Sequence, residues 1–218
     1  MGVSLAIVIV GGGGHAKVAY DLFVACKELV IGVIDRSPVQ HSQLKYLGDD
    51  TAWPTLLAQG VRRAHVAIGD NVLRSRLCED LQSRGVELVT GIHPTSYIAS
   101  SSRLGPGVIV MAGAVVQPSC DIGAYCIINT RASVDHDGRL GRGVHIGPGV
   151  TLAGSVAIGD LSFVGAGSTV IPGVTIGSDT LVGAGSCVVR PLPDNVIAYG
   201  VPARPVRPHR ITSIKTGR

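Results

Sequence analysis

The 218 residues include 30 glycines; 45% are hydrophobic, 16% charged and 4% aromatic. High apolar content and sparse charge exclude a disordered chain, and the length allows a real core in one large domain or two modest ones. The net charge of +4 is local: residues 201–218 hold Arg204, Arg207, Arg210, Lys215 and Arg218 with no acid, so the remainder stands at −1 and a general nucleic-acid surface is excluded. That tail reads as solvated, or as an anchor for an anionic ligand. The opening MGVSLAIVIVGGGGHAK shows no basic leader and an apolar run too short to span a bilayer, so the expectation is a mature cytoplasmic protein without membrane insertion.

Residues 1–90 alternate β and α patterns. LAIVIV is a buried strand, a glycine run leads into the helical spacing of HAKVAYDLFVACKEL, and ELVIGVID is a second strand ending at Asp35. A short helix follows near residues 53–59, then the strand RRAHVAIG. DNVLRSRLCEDLQSRG reads as a helix capped by Asp70, with Leu73, Leu77 and Leu81 on one face and Gly85 at its end. VELVT gives a fourth short strand, so the expectation is a small parallel sheet with helices on its faces.

Residues 11–16 fit GxGxxA, with Asp35 at about the dinucleotide spacing. Alone, that argues for NAD and an oxidoreductase. The segment holds one mononucleotide half, however, so a single nucleotide is the better reading. Its phosphates would sit at Gly13, Gly14 and His15 by the helix N-terminus, with Lys17 close by and base or ribose near Asp35 and Arg36.

From about residue 92 the grammar changes. Ile98, Leu104, Val110, Val116, Ile122, Ile128, Val134, Leu140, Ile146, Leu152, Ile158, Val164, Val170, Ile176, Val182 and Val188 stand six apart without a slip. This is the hexapeptide period of a parallel β-helix. Glycine follows the aliphatic at Gly105, Gly123, Gly141, Gly159 and Gly177, and again at Gly147, Gly165 and Gly183. Each series has an interval of 18, which implies three hexapeptides per coil and a triangular section; glycine suits corners that need positive φ. Residues 91–195 form this unit, residues 1–90 the α/β domain and residues 196–218 a closing turn and tail. The spacing alone sets no hand.

Ala114, Cys120, Cys126, Ala132, Val150, Ser168 and Ser186 fill a small-residue column beside the aliphatics. Cys120, Cys126 and Cys187 read as buried filler of that column. With Cys26 and Cys78 they form no CxxC pair and no metal-ligand spacing, so no metal is expected, and free thiols fit a reducing compartment.

His136, in VDHDGRL, follows core-facing Val134 by two positions and so lies at a corner, open to solvent or a partner subunit. An imidazole with an ordinary pKa near 6.5 suits base chemistry there. Asp135 and Asp137 flank it; a carboxylate on one ring nitrogen would fix the tautomer, which needs turn geometry because strand neighbours point apart. His145, in GVHIGPG, precedes core-facing Ile146 and projects outward from a flat face. Half a coil separates it from His136, so the two can serve one site only between subunits. Pro148, Ala166 and Ala184 stack in one corner column, each beside a glycine, and leave a smooth groove with accessible backbone.

GGGGHAK, the hexapeptides, INTRASVDHD and the closing YGVPARPVR together resemble the hexapeptide-repeat sugar acetyltransferases. Within them the chain is most similar to UDP-4-amino-sugar N-acetyltransferases of the bacillosamine pathway, with sialic acid O-acetyltransferase-like proteins sharing the plan. The resemblance spans residues 5–205. It implies an α/β Rossmann-like domain followed by a left-handed parallel β-helix, assembled as a homotrimer with active sites between subunits. It also implies acetyl-CoA against His145, Ala166 and Ala184, the nucleotide of a UDP-sugar near Gly69, and an active-site role for Asn129. His136 would be the base, supported by Asp137 where relatives carry His-Glu. The expected reaction is direct attack of a sugar amine on the thioester, with backbone N–H groups or His145 stabilising the oxyanion. No cysteine lies near VDHDG, so no covalent acyl-enzyme is required. Alternatives are O-acetylation of sialic acid or another sugar hydroxyl, the NAD-linked oxidoreductase, and a non-enzymatic scaffold.

Overall fold

The structure, a computed structural model, describes residues 5–39 and 43–209. Strands β1 (Ile7–Val10), β2 (Val30–Ile34), β3 (Tyr46–Gly48), β4 (Arg63–Val66) and β5 (Glu87–Leu88) form a parallel sheet of order β3-β2-β1-β4-β5. Every residue of β1 is buried, as a central parallel strand covered on both faces requires. Helices α1 (Gly14–Ala25), α2 (Trp53–Ala58) and α3 (Asn71–Ser83) connect them. Two expectations change here. Tyr46–Gly48 adds an edge strand that its short, polar-flanked sequence did not signal. The chain also continues past one mononucleotide half, and β1 beside β4 makes a topological switch point, the usual ligand crevice of such sheets.

The carboxylate of Asp70 caps α3 by accepting the Leu73 N–H at 2.8 Å, and Gly85 follows the helix at φ +75°. The buried face of α3 is not the leucine stripe, however. Arg74, Ser75, Cys78 and Leu81 are buried, while Leu73 and Leu77 are half-exposed.

From β6 (Gly91–Ile92) to β22 (Cys187–Val188) every strand has two residues. As far as Thr169–Val170, each pairs in parallel with the strand 18 residues on, as Val116 with Val134, Ile122 with Leu140, and Ile128 with Ile146. Three such faces close a left-handed β-helix. The six-spaced aliphatics fill one continuous core; Ile98 and Leu104, in the first coil, are only partly covered.

The glycines after each aliphatic have a different cause from the one expected. The left-handed residue of each corner lies two positions later, at Gly143, Gly149 or Gly167, and at Asp137, Ser155 or Leu161. Gly105, Gly123, Gly159 and Gly165 are needed because a Cβ would stand 2.5–2.6 Å from backbone atoms of the next coil. Coil stacking, not φ, excludes a side chain there. The small column also does more than fill space. The Ser162 hydroxyl donates to Gly177 O at 2.7 Å, and Cys126 Sγ to Gly141 O at 3.0 Å, so inward polar groups satisfy corner carbonyls. Cys187 lies outside that column, half-exposed on the outer face of β22.

Strand β23 (Val196–Gly200) pairs with β21 (Leu181–Val182) and antiparallel with β24 (Ala203–Pro208), and Ala198 and Ala203 complete the core. Arg204 and Arg207 belong to β24; the rest of the basic tail lies outside the described residues. At the other end, Ile109, Met111 and Ile127 on the prism's outer face share a core with Leu22 and Phe23 of α1, and Tyr125 shares one with Cys78 and Leu81 of α3. The α/β sheet is thus packed onto one face of the prism.

Candidate functional site

His136 lies in the turn between β13 (Ser133–Val134) and β14 (Arg139–Leu140). Its ring is exposed and its Nδ1 is 2.8 Å from Asp137 Oδ2. Asp137 has φ +60°, which swings adjacent side chains onto one side and lets a carboxylate one methylene shorter than Glu reach the ring. The backbone N–H of His136 also donates to Asp135 Oδ1 at 2.8 Å. The Asp137 bond, then the charge of Asp135, raises the pKa of His136 above its ordinary value. With Nδ1–H held by the carboxylate, Nε2 is the free acceptor. Sequence distance misled about thiols here: Cys120, one coil earlier, has its Sγ 3.1 Å from Asp135 O. It points into the prism, and burial raises its pKa, so it is no nucleophile.

The glycine loop sits at the switch point. Gly12 N–H donates to Asp35 Oδ2 at 2.6 Å, so Asp35 braces the loop from inside. A Cβ at Gly13 or Gly14 would meet nothing within 4 Å, which leaves an open cradle at the N-terminus of α1. Arg36, exposed, and Asp35 border a cavity of about 170 Å³ walled by Ile68 and the two half-exposed leucines, Leu73 and Leu77.

His15, Asn129 and His145 converge where the α/β sheet covers the prism. The rings of His15 and His145 have centroids 6.4 Å apart, and Phe163 packs edge-on against His145 at 5.0 Å. His145 does project outward from its face, but into this junction, where it is half-buried. Asn129 Oδ1 accepts the Thr130 N–H at 2.8 Å, so its Nδ2 is the atom 3.1 Å from His145 Nε2. His145 therefore carries its proton on Nδ1. That nitrogen and His15 Nε2 are buried without a partner among the described residues. Burial, then the Arg74 charge, lowers the pKa of His15 to about 4 and of His145 to about 3. Both are neutral at pH 7, so His15 can offer a phosphate a hydrogen bond but not a charge.

Arg74, which sequence reasoning missed, holds this junction together. It donates to Tyr125 O at 2.9 Å, Ile68 O at 2.9 Å, Gly143 O at 2.7 Å and Asn71 Oδ1 at 2.8 Å, and more weakly to Gly69 O at 3.3 Å. Gly69 is thereby fixed beside the switch point. Asn71 Nδ2 continues the network to Leu161 O and Ser162 O.

Ala166 and Ala184 are exposed at a different corner, each followed by a glycine whose Cβ position is open. The N–H groups of Gly167 and Gly185 are already bonded to the Pro148 and Ala166 carbonyls, so less of this backbone is accessible than expected. Beside the His136 corner, a groove of about 450 Å³ runs over Arg139, Ala157 and Thr175 on the outer face of β14 and its neighbours.

A nucleotide-type sheet packed on a left-handed hexapeptide prism with an exposed, carboxylate-bonded imidazole defines a hexapeptide-repeat acyltransferase. Residues 6–81 match the PglD N-terminal domain family, and residues 137–171 the bacterial transferase hexapeptide (six repeats) family. The structure of PerB from Caulobacter crescentus in complex with CoA and GDP-perosamine is 50% identical, with a TM-score of 0.91 over 93% of this chain and 97% of that one. The acetyltransferase domain of PglB from Neisseria gonorrhoeae FA1090, in complex with acetyl coenzyme A, is 33% identical, with a TM-score of 0.86 over 93% and 100%. The UDP-N-acetylbacillosamine N-acetyltransferase of Bacillus subtilis (strain 168) is 36% identical over 115 residues, 49% of this chain and 51% of its own length. The chain thus spans about half the length of the curated relatives it matches. It belongs to the family of PglD-type hexapeptide-repeat sugar N-acetyltransferases.

Proposed function

We propose that this chain transfers the acetyl group of acetyl-CoA to the amine of a nucleotide-linked 4-amino sugar. The His136–Asp137 pair carries this reading: an exposed imidazole with Nδ1 bonded to a carboxylate and Nε2 free is arranged as a general base. The amine nitrogen attacks the thioester carbonyl as Nε2 takes its proton. The C–S bond then breaks, and the proton passes from His136 to the departing CoA sulfur. The nucleotide diphosphate would lie in the open cradle at Gly13 and Gly14, with the base against Arg36 and the Leu73 wall. His15 and His145, each with an unpaired ring nitrogen, would face the polar groups between base and amine.

His136 and the Ala166–Ala184 corner belong to different corners of one prism. We therefore take the site as shared within a homotrimer, the partner's corner bringing the thioester arm to the groove beside His136. The N-acetyltransferase relatives favour an amine over a hydroxyl acceptor. The family resemblance implied UDP. A 50%-identical structure with GDP-perosamine bound, against 36% identity over half the chain for the UDP relative, favours a GDP-linked sugar instead.

A CoA-release assay across GDP-, UDP- and dTDP-linked 4-amino sugars tests the proposal. Turnover with one of them, lost by at least about a hundredfold in His136→Ala with nucleotide-sugar binding retained, is the expected result. Full turnover in that variant removes the mechanism.

A further inference from the structure

We infer that Gly154 is the floor that holds the His136 imidazole in its working position. This rests on the reading of His136 as the base. Gly154 lies one coil on from His136, 18 residues away at the same corner. A Cβ built on it would stand 2.5 Å from His136 Cε1, 2.6 Å from Nε2 and 3.2 Å from Nδ1. The ring therefore leans along the prism axis and rests directly on the bare backbone. Gly154 is buried, whereas Pro118 and Pro172, at the same corner in the coils before and after, are exposed.

The fold itself does not ask for glycine there. The same place in other corners holds Ala124, Arg142, Pro148, Asp160 and Ala166. The left-handed residue of this turn is the next one, Ser155 at φ +59°, whose N–H donates to His136 O at 2.8 Å and fixes the two coils together. What the missing side chain provides is space for the ring in the position where Nδ1 lies 2.8 Å from Asp137 Oδ2. With a methyl group at 154 the exposed ring must yield, because it is free to rotate while the stacked backbone is not. Gly154 is thus a positioning residue acting through His136.

The test compares wild type, Gly154→Ala, His136→Ala and the double variant, with melting curves to confirm that all fold alike. Gly154→Ala should lower kcat by about ten- to a hundredfold, the usual cost of a misplaced catalytic group. KM for both substrates should stay within about twofold. The acid limb of its pH–rate profile should move to lower pH as the ring loses Asp137. Adding Gly154→Ala to His136→Ala should cost nothing further. An unchanged kcat, or the same loss in both backgrounds, overturns the inference. Should His136→Ala prove fully active, the base reading fails separately. NMR titration of His136 in Gly154→Ala then still decides the floor: a pKa falling toward the ordinary value upholds it, and an unchanged pKa and tautomer overturn it.

Discussion

At the scale of single residues, chemistry is set by what one dihedral allows. Asp137 reaches its neighbour because it occupies the left-handed place in the turn, where aspartate is among the tolerated residues. Asp137→Asn should lower kcat by about a hundredfold and shift the acid limb of kcat/KM to lower pH. The sign follows from the cause: the carboxylate bond raises the His136 pKa, so its removal lets the base stay deprotonated in more acidic solution. A pH–rate profile of the variant checks this, and an acid limb moving to higher pH would refute it. The His-Asp pair was legible in the sequence as candidates. Its bond was not, because a regular strand would have pointed the two side chains apart.

At the scale of elements, α3 shows where pattern reading stops. Leucine spacing finds the helix, but the assumption that charge faces water places Arg74 outside. The structure buries it, because four carbonyls and the Asn71 amide surround the guanidinium and replace its hydration. Burial lowers its pKa to about 10, which still leaves it charged at pH 7. Arg74→Met leaves those acceptors unpaired and should destabilise the fold by about 3 kcal/mol, measured by urea denaturation. Since Gly69 is one of the carbonyls held, KM for the nucleotide sugar should rise while KM for acetyl-CoA stays put. Equal changes in both would show that the residue serves stability alone. Signals for the docked face did exist: Ile109–Val110 and Ile127–Ile128 double the aliphatic where an isolated prism would put a polar residue outward.

At the scale of the whole molecule, His65 is buried and His15 and His145 are half-buried in or beside the junction between the α/β sheet and the prism. His15 and His65 are held to about pKa 4 and His145 to about 3, in each case chiefly by loss of water. In the unfolded chain they would protonate near 6.5, so the unfolded state binds more protons below that pH. Stability is therefore full above about pH 6.5 and falls as pH drops toward 4. The slope approaches about 1.4 kcal/mol per pH unit for each histidine. Melting temperatures across that window should show the fall, and His65→Phe should make it shallower. A flat profile would mean that the junction opens to water.

The six-residue period needs no tertiary information, because each coil repeats the same local problem of burying one aliphatic per face. The sequence by itself therefore determined the prism, its three-sided section, the α/β unit before it and the corner on which His136 stands. Tertiary structure decided what depends on residues far apart in the chain. It set why the corner glycines are bare, which face of α3 turns inward, that His15 meets His145, and that Gly154 lies beneath His136. These are contacts between coils and between domains, and their distances follow from stacking and docking that no local spacing encodes.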